Sequence, residues 1–466
     1  YQLIASNAFG VSTSSVCQVN VSRLASFGGI FNLTNLTAEV GNLLAVSASS
    51  SHLLAIRPDH TIATWGARVT PATNVPAGLG NVVAVSAGTD FSAALKADGT
   101  VVAWGIGTLG QTNVPPGLSN VIALSSAVRH TLALRADGTV AAWGANSLGI
   151  TNVPAGLSNV LAVSAGTYHS LALQRDGAIV GWGQAGTIPA GLKAAAIAAG
   201  SDVSLALKFD GTVTSWSGFQ LPAAANPPTG LSNVVAIAAA RGTEQRPAGA
   251  GPFAALQSNG TVTIWGDGTY EQFPIPPGLT SAMDLSCASS YIVALLNDRS
   301  PHVTIQPADQ KILTGSNVTF AAFAVGAPPL QWQWFRNGIG LSGATGQQLN
   351  LASVTRSDRA SYSAVVTNAL GLAGTRAAQL DVGGLIQLSS SFVTAAGALA
   401  VAGQDSSGSP LLGPDLVRFE PQASTNLVDW QPLVGALSIT NGFLLLQDTN
   451  YLQFPARYYR LLESDF

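Results

Sequence analysis

A segment of about 39 residues recurs along the first 300 residues of the chain. Its clearest mark is a tryptophan, usually followed by glycine, at Trp65, Trp104, Trp143, Trp182, Trp216 and Trp265. Turn residues give a second set of marks at nearly the same spacing, namely Asp59, Asp98, Asp137, Asp176, Asp210, Asn259 and Asp298. A repeat of this length predicts a solenoid or a propeller, because one copy cannot bury its own apolar face and must pack on its neighbours.

Each repeat contains three short segments in which apolar and polar residues alternate. In the second repeat they read NVVAVSA, FSAALKA and TVVAWG. Alternation with a period of two predicts β-strands, and an Asp-Gly pair between two of them predicts a tight hairpin. Three or four such strands per repeat are typical of a propeller blade. We therefore expect an all-β fold in which the tryptophans pack between blades.

The two ends of the repeat array complement each other. The last copy begins at residue 278 and stops near residue 300, before its tryptophan strand. Residues 21–42 align with the missing strand and its loop, and Phe27 takes the tryptophan position. This predicts a seven-bladed propeller over residues 22–300, whose seventh blade is shared by residues 22–40 and 278–300. Such closure leaves no open sheet edge.

The Trp-Gly marks, the NVPAGL segments and their spacing resemble the RCC1-type repeat in its short bacterial form. The resemblance implies a seven-bladed β-propeller like those of secreted bacterial proteins, which include an enzyme inhibitor. The eukaryotic founder of the family acts on a small GTPase and chromatin. That activity does not carry over, because 20 Lys+Arg against 23 Asp+Glu give a net charge of −3 and no basic surface for nucleic acid.

Residues 301–383 resemble an I-set-type immunoglobulin-like domain. Trp334 occupies the position of the core tryptophan of strand C, and the Asp-x-Ala-x-Tyr motif that ends at Tyr362 matches the tyrosine corner. Ala322 and Ala364 occupy the two cysteine positions of the family. The resemblance therefore implies a sandwich without the inter-sheet disulfide.

The first 21 residues match the last hairpin of that domain. YQLIASNAFGVSTSSVCQVNV aligns without gaps with residues 362–382, so residues 1–21 read as strands F and G of another, incomplete immunoglobulin-like domain. A lone hairpin is marginal in water. Two alternatives stay open: the chain is a piece of a longer protein, or a neighbouring copy completes the hairpin by strand addition. The candidate residues for such an assembly contact are Tyr1, Leu3, Ala5 and Cys17.

Residues 384–466 combine alternating apolar residues with turn signals, which predicts a small C-terminal β-sandwich. Trp430 and Tyr459 are expected in its core, and residues 403–414 are expected to form a loop. Both immunoglobulin-like neighbours are expected to join the propeller at blade seven, on the side of the Asp-Gly turns.

The propeller end opposite the Asp-Gly turns gathers two families of loops, because successive strands run antiparallel. One family follows the first strand of each blade, and the other follows Trp-Gly. Residues 241–252 lengthen one of these loops in blade six, and long loops on a rigid scaffold commonly bind partners. The candidates for this binding face are Asp90, Arg129, Tyr168, Asp202, Phe219, Arg241, Glu244, Arg246 and Tyr270. Asp90 and Asp202 are expected to be exposed.

Residue patterns for catalysis and metal binding are scarce. The sequence has no GxSxG, HExxH or P-loop motif, and most aspartates of the repeats are turn residues. His52, His130 and His169 recur at one repeat position, but other repeats place apolar residues there. That alternation indicates a packing position rather than a metal site. We expect no enzyme activity, no cofactor and no bound metal.

Targeting and cysteine content constrain the class of protein further. The sequence shows no secretion signal and no membrane-spanning run. Two cysteines in 466 residues exclude a disulfide scaffold. Cys17 and Cys287 either form one disulfide or remain separate buried thiols.

These features predict a non-catalytic, secreted bacterial protein that acts outside the cell or at its surface. The first hypothesis is a binding or adhesion protein that recognises a protein or glycan through the loops of the propeller. The second is a structural subunit of an extracellular filament or sheath, assembled head-to-tail from copies of itself through the N-terminal hairpin. Only 9% of the residues are charged, so the surface suits burial against copies. The third is an inhibitor of a secreted enzyme.

Overall fold

The computed structural model describes residues 4–7, 10–13, 23–27, 43–66, 71–219, 223–241, 251–266, 279–289, 291–384, 386–395, 398–405, 411, 413–433, 436–454 and 456–463. In this part of the chain the regular elements are β-strands and short 3-10 helices, the latter at Pro71–Thr73, Ala223–Ala225, Arg356–Asp358, Gly413–Arg418 and Tyr451–Gln453. None of these helices is long and apolar enough to cross a membrane. The fold is all-β, as the sequence predicts.

The chain divides into two compact units. The first consists of Tyr1–Gln306, Ala321–Trp332 and Val365–Thr375. The second consists of Pro307–Phe320, Gln333–Ala364 and Arg376–Phe466.

An antiparallel hairpin opens the chain. Strand β1 (Ile4–Asn7) pairs with β2 (Gly10–Thr13), and Ala5 lies opposite Ser12. Of the other assembly candidates, Tyr1, Leu3 and Cys17 lie outside the described residues. The hairpin itself is the element that the alignment with residues 362–382 predicts.

Three-stranded antiparallel sheets follow at the spacing of the repeat. Within the described ranges there are seven, which we call sheets one to seven. Sheets one to three consist of β4 (Ala45–Ala48), β5 (His52–Ile56) and β6 (Ile62–Gly66); of β7 (Val82–Ala87), β8 (Phe91–Lys96) and β9 (Val101–Gly105); and of β10 (Val121–Ser126), β11 (His130–Arg135) and β12 (Val140–Gly144). Sheets four to six consist of β13 (Val160–Ala165), β14 (His169–Gln174) and β15 (Ile179–Gly183); of β16 (Ala196–Ala199), β17 (Val203–Leu207) and β18 (Val213–Ser217); and of β19 (Val234–Ala239), β20 (Phe253–Gln257) and β21 (Val262–Trp265). Sheet seven consists of β22 (Ala282–Cys287), β23 (Ile292–Leu296) and β3 (Arg23–Phe27), which lies at the start of the repeat array.

Sheet seven is built from both ends of the repeat array. Strand β3 pairs antiparallel with β23, and Phe27 lies opposite Ile292. The first strands of consecutive sheets lie side by side from β4 to β22, and β22 in turn lies next to β4. The strand closure inferred from the sequence is therefore present in the structure.

The apolar core lies in layers between consecutive sheets. Middle strands such as β11 are buried along almost their whole length, because each has a strand on either side and a neighbouring sheet on its faces. Leu132 and Leu134 of sheet three, for example, pack with Val160 and Ala172 of sheet four. Each sheet thus buries on its neighbours the apolar faces that it cannot bury alone.

The tryptophans of sheets two to six each donate a hydrogen bond to the connection that precedes their sheet. The Nε1–H of Trp104 donates to the carbonyl of Ala72 at 2.9 Å, and that of Trp143 donates to Gln111 at 2.8 Å. The same bond recurs for the tryptophans of sheets four to six. The tryptophans therefore have the structural role that the sequence predicts.

The Asp-Gly turns are fixed by the aspartate side chain. In sheet two, Asp98 Oδ1 accepts the backbone N–H of Thr100 at 3.0 Å and its hydroxyl at 2.6 Å, while Gly99 has a φ of 78°. A side chain that caps its own turn and a glycine at positive φ are what a tight hairpin needs. This explains why Asp-Gly-Thr recurs at this point of the repeat.

The immunoglobulin domain follows the repeats. Its strands are β24 (His302–Ile305), β25 (Gln310–Leu313), β26 (Val318–Ala321), β27 (Phe323–Val325), β28 (Gln331–Arg336), β29 (Ile339–Gly340), β30 (Gln348–Leu351), β31 (Ala360–Asn368), β32 (Gly371–Gly374) and β33 (Ala378–Gly383). Trp334 is fully buried, and the Tyr362 hydroxyl donates to the carbonyl of Asp358 at 2.8 Å, as in a tyrosine corner. Phe320 stacks on Tyr362 with ring centroids 4.9 Å apart. Ala322 and Ala364, at the cysteine positions, are both buried.

Within the first unit, part of this domain packs on sheets six and seven. The Thr304 hydroxyl donates to the carbonyl of Val235 at 2.8 Å, and the Gly326 N–H donates to Ser258 at 2.9 Å, in the hairpin turn of sheet six. Asn368 Nδ2 donates to the carbonyl of Arg299 at 3.0 Å, beyond β23 of sheet seven. The contact lies on the side of the hairpin turns, as expected, and it includes sheet six as well as sheet seven.

The C-terminal segment forms two sheets. Its strands are β34 (Ile386–Val393), β35 (Leu399–Asp405), β36 (Phe419–Ser424), β37 (Gln431–Pro432), β38 (Leu437–Thr440), β39 (Phe443–Asp448) and β40 (Tyr458–Glu463). The sheets have the strand orders β34-β35-β39-β38 and β37-β36-β40, and Leu411, Phe419 and Leu444 form a shared core.

Two details of the C-terminal prediction are wrong. Trp430 and Tyr459 are half-buried rather than in the core. The guanidinium of Arg460 lies 4.4 Å from the centre of one Trp430 ring, and the Tyr459 hydroxyl donates to Asp448 at 3.0 Å. Of the expected loop at 403–414, residues 403–405 belong to strand β35, and residues 413–414 begin the 3-10 helix Gly413–Arg418.

Candidate binding surface

Backbone hydrogen bonds bring the two loop families together at one end of the sheets. The carbonyl of Asp90, between β7 and β8, accepts the N–H of Ile106, which directly follows β9. Arg129 and Ala145 form the equivalent bond in sheet three, and the carbonyl of Tyr168 accepts its equivalent in sheet four, each at 2.9 Å. We call this end, as formed by sheets two to five, the loop face.

The loop face exposes apolar side chains after the tryptophan strands. The exposed fractions are 41% for Ile106, 49% for Leu109, 37% for Leu148 and 45% for Phe219. The ring of Tyr168 packs edge-on against Phe219, with centroids 6.5 Å apart and an interplanar angle of 74°. The structure therefore brings together two of the predicted residues as an aromatic pair, and the loop face also exposes aliphatic groups in sheets two and three.

Polar candidates on the loop face differ in their exposure. Asp90 is exposed, and Arg129 is half-buried with its Nη1 donating to Ser147 Oγ at 3.4 Å. The expectation that Asp202 is exposed is wrong, because only 6% of it reaches solvent and desolvation raises the pKa of its carboxyl. Asp90 and Asp202 occupy the same position of equivalent turns, closed by N–H-to-carbonyl bonds from Gly88 to Phe91 and from Gly200 to Val203, so the turn itself does not account for the difference in exposure.

The insertion in sheet six is described only at its two ends. Glu244 and Arg246 lie outside the described residues, as does Tyr270. Arg241 was predicted to lie on the binding face, and this prediction is wrong. Its side chain crosses to sheet three instead. Its Nη1 donates to the carbonyl of Ser126 and its Nη2 donates to Ser125 Oγ at 3.2 Å.

The three recurrent histidines are buried and link neighbouring sheets. Nε2 of His52 lies 2.8 Å from Ser92 Oγ, and Nε2 of His169 lies 2.9 Å from Ser204 Oγ. His130 makes the same contact with the next sheet at 2.8 Å. Burial lowers the pKa of His52 and of His169 to about 4, so both rings are neutral at pH 7. The sequence does contain a pattern that indicates these contacts. In the repeat that follows each such histidine, a serine lies one position after the residue equivalent to that histidine.

A cluster of charged side chains in the second unit was not predicted. Arg356 is fully buried; its Nε donates to Asp405 at 2.7 Å, and its two Nη atoms donate to Glu463 at 3.0 and 3.1 Å. Burial alone would lower the pKa of Arg356, but these hydrogen bonds raise it overall. The remaining members of the cluster are Arg359, Asp381, Asp415 and Arg418.

The cluster joins the immunoglobulin domain to the C-terminal sheets. Arg356 and Asp381 belong to the former, and Asp405, Arg418 and Glu463 belong to the latter. The sequence indicates this cluster only through the RSDR segment at residues 356–359. That segment overlaps the tyrosine-corner motif, which already accounts for its aspartate. Its acidic partners are 49 and 107 residues away, so no local pattern reveals them.

Two family profiles match parts of the chain. Residues 82–111 match the Regulator of chromosome condensation (RCC1) repeat, and residues 300–368 match the Immunoglobulin domain. Endoglucanase C of Cellulomonas fimi is 40% identical over 88 residues, which are 18% of this chain and 8% of that protein. The match therefore spans less than a tenth of the length of this curated relative.

Solved structures are also similar to parts of the chain. The ectodomain of the receptor kinase CR4 from Physcomitrella patens is 20% identical, covers 56% of this chain and 69% of that chain, and has a TM-score of 0.43. Titin M4 is 26% identical, covers 18% of this chain and 98% of that chain, and has a TM-score of 0.17. TM-scores of this size carry no information on function. The chain is an all-β protein with repeated three-stranded sheets, in which residues 82–111 match the RCC1 repeat, and with an immunoglobulin domain.

Proposed function

We propose that this chain is a non-catalytic binding or adhesion protein of the extracellular space, which recognises a protein or a glycan through the loop face. The observation that carries the proposal is the set of exposed apolar side chains Ile106, Leu109, Leu148 and Phe219, on the loops that follow the tryptophan strands of sheets two, three and five. Aromatic and aliphatic groups that are exposed on preformed loops are typical of binding surfaces. The immunoglobulin domain agrees with such a function.

The architecture proposed with this function is a seven-bladed propeller of the secreted bacterial type. The seven three-stranded sheets of the repeat region, with β22 beside β4, support that number of blades. The similarity of 88 residues to a Cellulomonas fimi protein supports a bacterial setting. The name of that protein makes cellulose the first polysaccharide to try.

The test compares three forms of the full chain for retention on insoluble cellulose, chitin, xylan and peptidoglycan, and on a glycan array. The first is the natural sequence, and the second replaces Leu109, Leu148 and Phe219 by serine. The matched control replaces Ile339 and Leu372 by serine, which are 74% and 71% exposed on the immunoglobulin domain. We expect retention of the natural chain and of the control, with at least about tenfold weaker binding of the loop-face variant. Equal retention of all three forms would contradict the proposed surface.

A second candidate function is self-assembly through the hairpin β1–β2. Its support is the strand register: Asn7 lies opposite Gly10, as Asn368 lies opposite Gly371 in β31–β32 of the immunoglobulin domain. A hairpin with this register has the geometry to complete a sandwich supplied by a neighbouring copy. Light scattering on the chain with and without residues 1–21 tests this. Polymers that disappear on deletion support assembly, and a monomer in both cases overturns it.

A further inference from the structure

A cavity of about 220 Å³ lies between the first strands of the seven sheets. One repeat position faces it in every sheet. That position is occupied by serine in sheets one to four and in sheet seven, and by alanine in sheets five and six. The residues are Ser47, Ser86, Ser125, Ser164, Ala198, Ala238 and Ser286.

Each of these serines accepts a backbone N–H from the next sheet. Ser86 Oγ accepts the N–H of Ser126 at 2.7 Å, and Ser125 Oγ accepts the N–H of Ala165 at 2.9 Å. The other three serines make the same bond. A hydroxyl that accepts in this way keeps its own O–H to donate. Among the described residues, these five O–H groups have no acceptor, so the wall of the cavity offers donors.

Arg241 adds a positive charge to the same cavity. Its side chain extends from the residues after β19 in sheet six to Ser125 and Ser126 in sheet three, and so bridges these two sheets across the cavity. Its buried Nε has no hydrogen-bond partner, and no carboxylate of the described residues pairs with it. Burial lowers the pKa of Arg241 to about 10, which leaves the guanidinium charged at pH 7.

No described residue of the lining offsets this charge. Cys287 is the other titratable lining residue, and burial raises the pKa of its thiol, so it stays neutral. A buried cation without a counter-charge is costly unless a ligand supplies one. The cavity therefore combines a cation, five free hydroxyl donors and a volume for a small ion.

We propose that this cavity binds a small tetrahedral oxyanion, of which sulfate and phosphate are the test cases, through the Arg241 guanidinium and the serine hydroxyls. Donors come from six of the seven sheets, so a ligand with acceptor oxygens on all sides fits better than a planar carboxylate. At about 30 Å³ per water molecule, the volume holds such an ion with a few waters. The inference does not depend on the function proposed for the loop face.

The test measures sulfate binding to the full chain by isothermal titration calorimetry at pH 7, where sulfate does not change its charge. We expect binding by the natural chain that is at least about tenfold weaker in Arg241→Gln, because a charge-assisted bidentate contact is lost. Ser86→Ala, which introduces the residue that sheets five and six carry at this position, should bind about threefold more weakly. Arg135→Gln is the control: Arg135 is the last residue of β11 and does not line the cavity, so this variant should bind sulfate as the natural chain does.

Further measurements separate the sources of the signal. Acetate should compete weakly, and selenate soaked into crystals should give an anomalous peak beside Arg241. Circular dichroism establishes that the Arg241→Gln variant is folded. Absence of sulfate binding at 10 mM (the order of a weak site), equal binding by Arg241→Gln, or a selenate peak elsewhere would each overturn the proposal.

Discussion

The repeat region and the junction around Arg356 both hold β-sheets together, but they use different chemistry. The links that recur between the repeats are neutral: indole N–H to carbonyl, backbone N–H to serine hydroxyl, and uncharged histidine to serine. At the junction the links are ionic, with three arginines and four carboxylates in one cluster, most of it buried.

The difference follows from repetition. A link that recurs in every sheet is placed around a common centre, where a charge in each copy would repel its equivalents. Small neutral donors and acceptors avoid that penalty and tolerate replacement, as the alanines of sheets five and six show. A junction that occurs once can use a charged cluster. Such a cluster specifies one arrangement strongly but loses much when one member is removed.

The largest effect is expected when the central cation of the ionic cluster is removed. Arg356→Ala removes the ion pairs that this arginine makes with the buried Asp405 and Asp415 and with Glu463, and should lower the free energy of unfolding by about 3–5 kcal/mol. Urea denaturation measures the loss, and hydrogen exchange should locate it in β35 and β40. Arg376→Ala, in an exposed pair 3.7 Å from Asp309, is the control and should change little. A loss below about 1 kcal/mol in Arg356→Ala would contradict the role given to the cluster.

The opposite effect on stability is expected for a desolvated carboxyl that pairs with no cation of the described residues: removing its charge should stabilise the chain. Asp284, on β22 of the repeat region, accepts its neighbour's N–H at 2.8 Å, and desolvation raises its pKa to about 6. Because the folded pKa lies above the unfolded value, this group costs stability above pH 6 and the cost disappears as the pH falls towards 4. Asp284→Asn should therefore raise the free energy of unfolding at pH 7 by about 1–2 kcal/mol and have little effect at pH 4.

The matched variant for this prediction lies in the ionic cluster. Asp405→Asn removes a carboxylate that receives the Nε–H of Arg356, so it should destabilise the chain at pH 7. Urea midpoints of both variants at pH 7 and pH 4 check the signs. Equal signs at pH 7 would remove the contrast between the two regions.

Mild acid should weaken the neutral links first. The folded pKa of His169, about 4, lies below its unfolded value of 6.5, so its contribution to stability is present above pH 6.5 and is lost as the pH falls from there to about 4. His169→Phe with Ser204→Ala should reduce the loss between pH 7 and pH 5 by about 1–2 kcal/mol. Phenylalanine suits this position because Phe91 fills it in sheet two, where a glycine, Gly88, provides the space that Gly166 provides here.

The measurement is urea denaturation at both pH values, with hydrogen exchange to locate the change in sheets four and five. The ionic cluster is the internal control. Burial raises the pKa of Asp381, but the hydrogen bond from Arg418 more than offsets this, and the pKa ends below its usual value. The cluster should therefore stay intact at pH 5. An unchanged pH dependence in the double variant would show that the histidines do not set it.

The regularity of the repeats explains how much of the fold was predictable. Turns such as Asp98-Gly99, the tryptophan spacing and the complementary ends are local patterns multiplied by repetition, so they predicted the sheets and their closure. Trp334 and Tyr362 were predictable because the domain places them at fixed distances along the chain. Arg241 and Arg356 were not, because their partners are more than 45 residues away and are not repeated. The burial of Asp202 was not predictable from the repeat, because Asp90 occupies the equivalent position of an equivalent turn and is exposed.

The smallest effect concerns charges that lie on the surface of the repeats. Lys193 Nζ lies 2.6 Å from Asp176 Oδ2, but the two side chains are 49% and 64% exposed. Water and salt screen such a pair, so Lys193→Ala should change the free energy of unfolding by less than about 0.5 kcal/mol, and by still less in 0.5 M NaCl. Urea denaturation at low and high salt tests this. A loss as large as that of Arg356→Ala would mean that the repeat region also depends on ionic links, and the distinction between the two regions would fail.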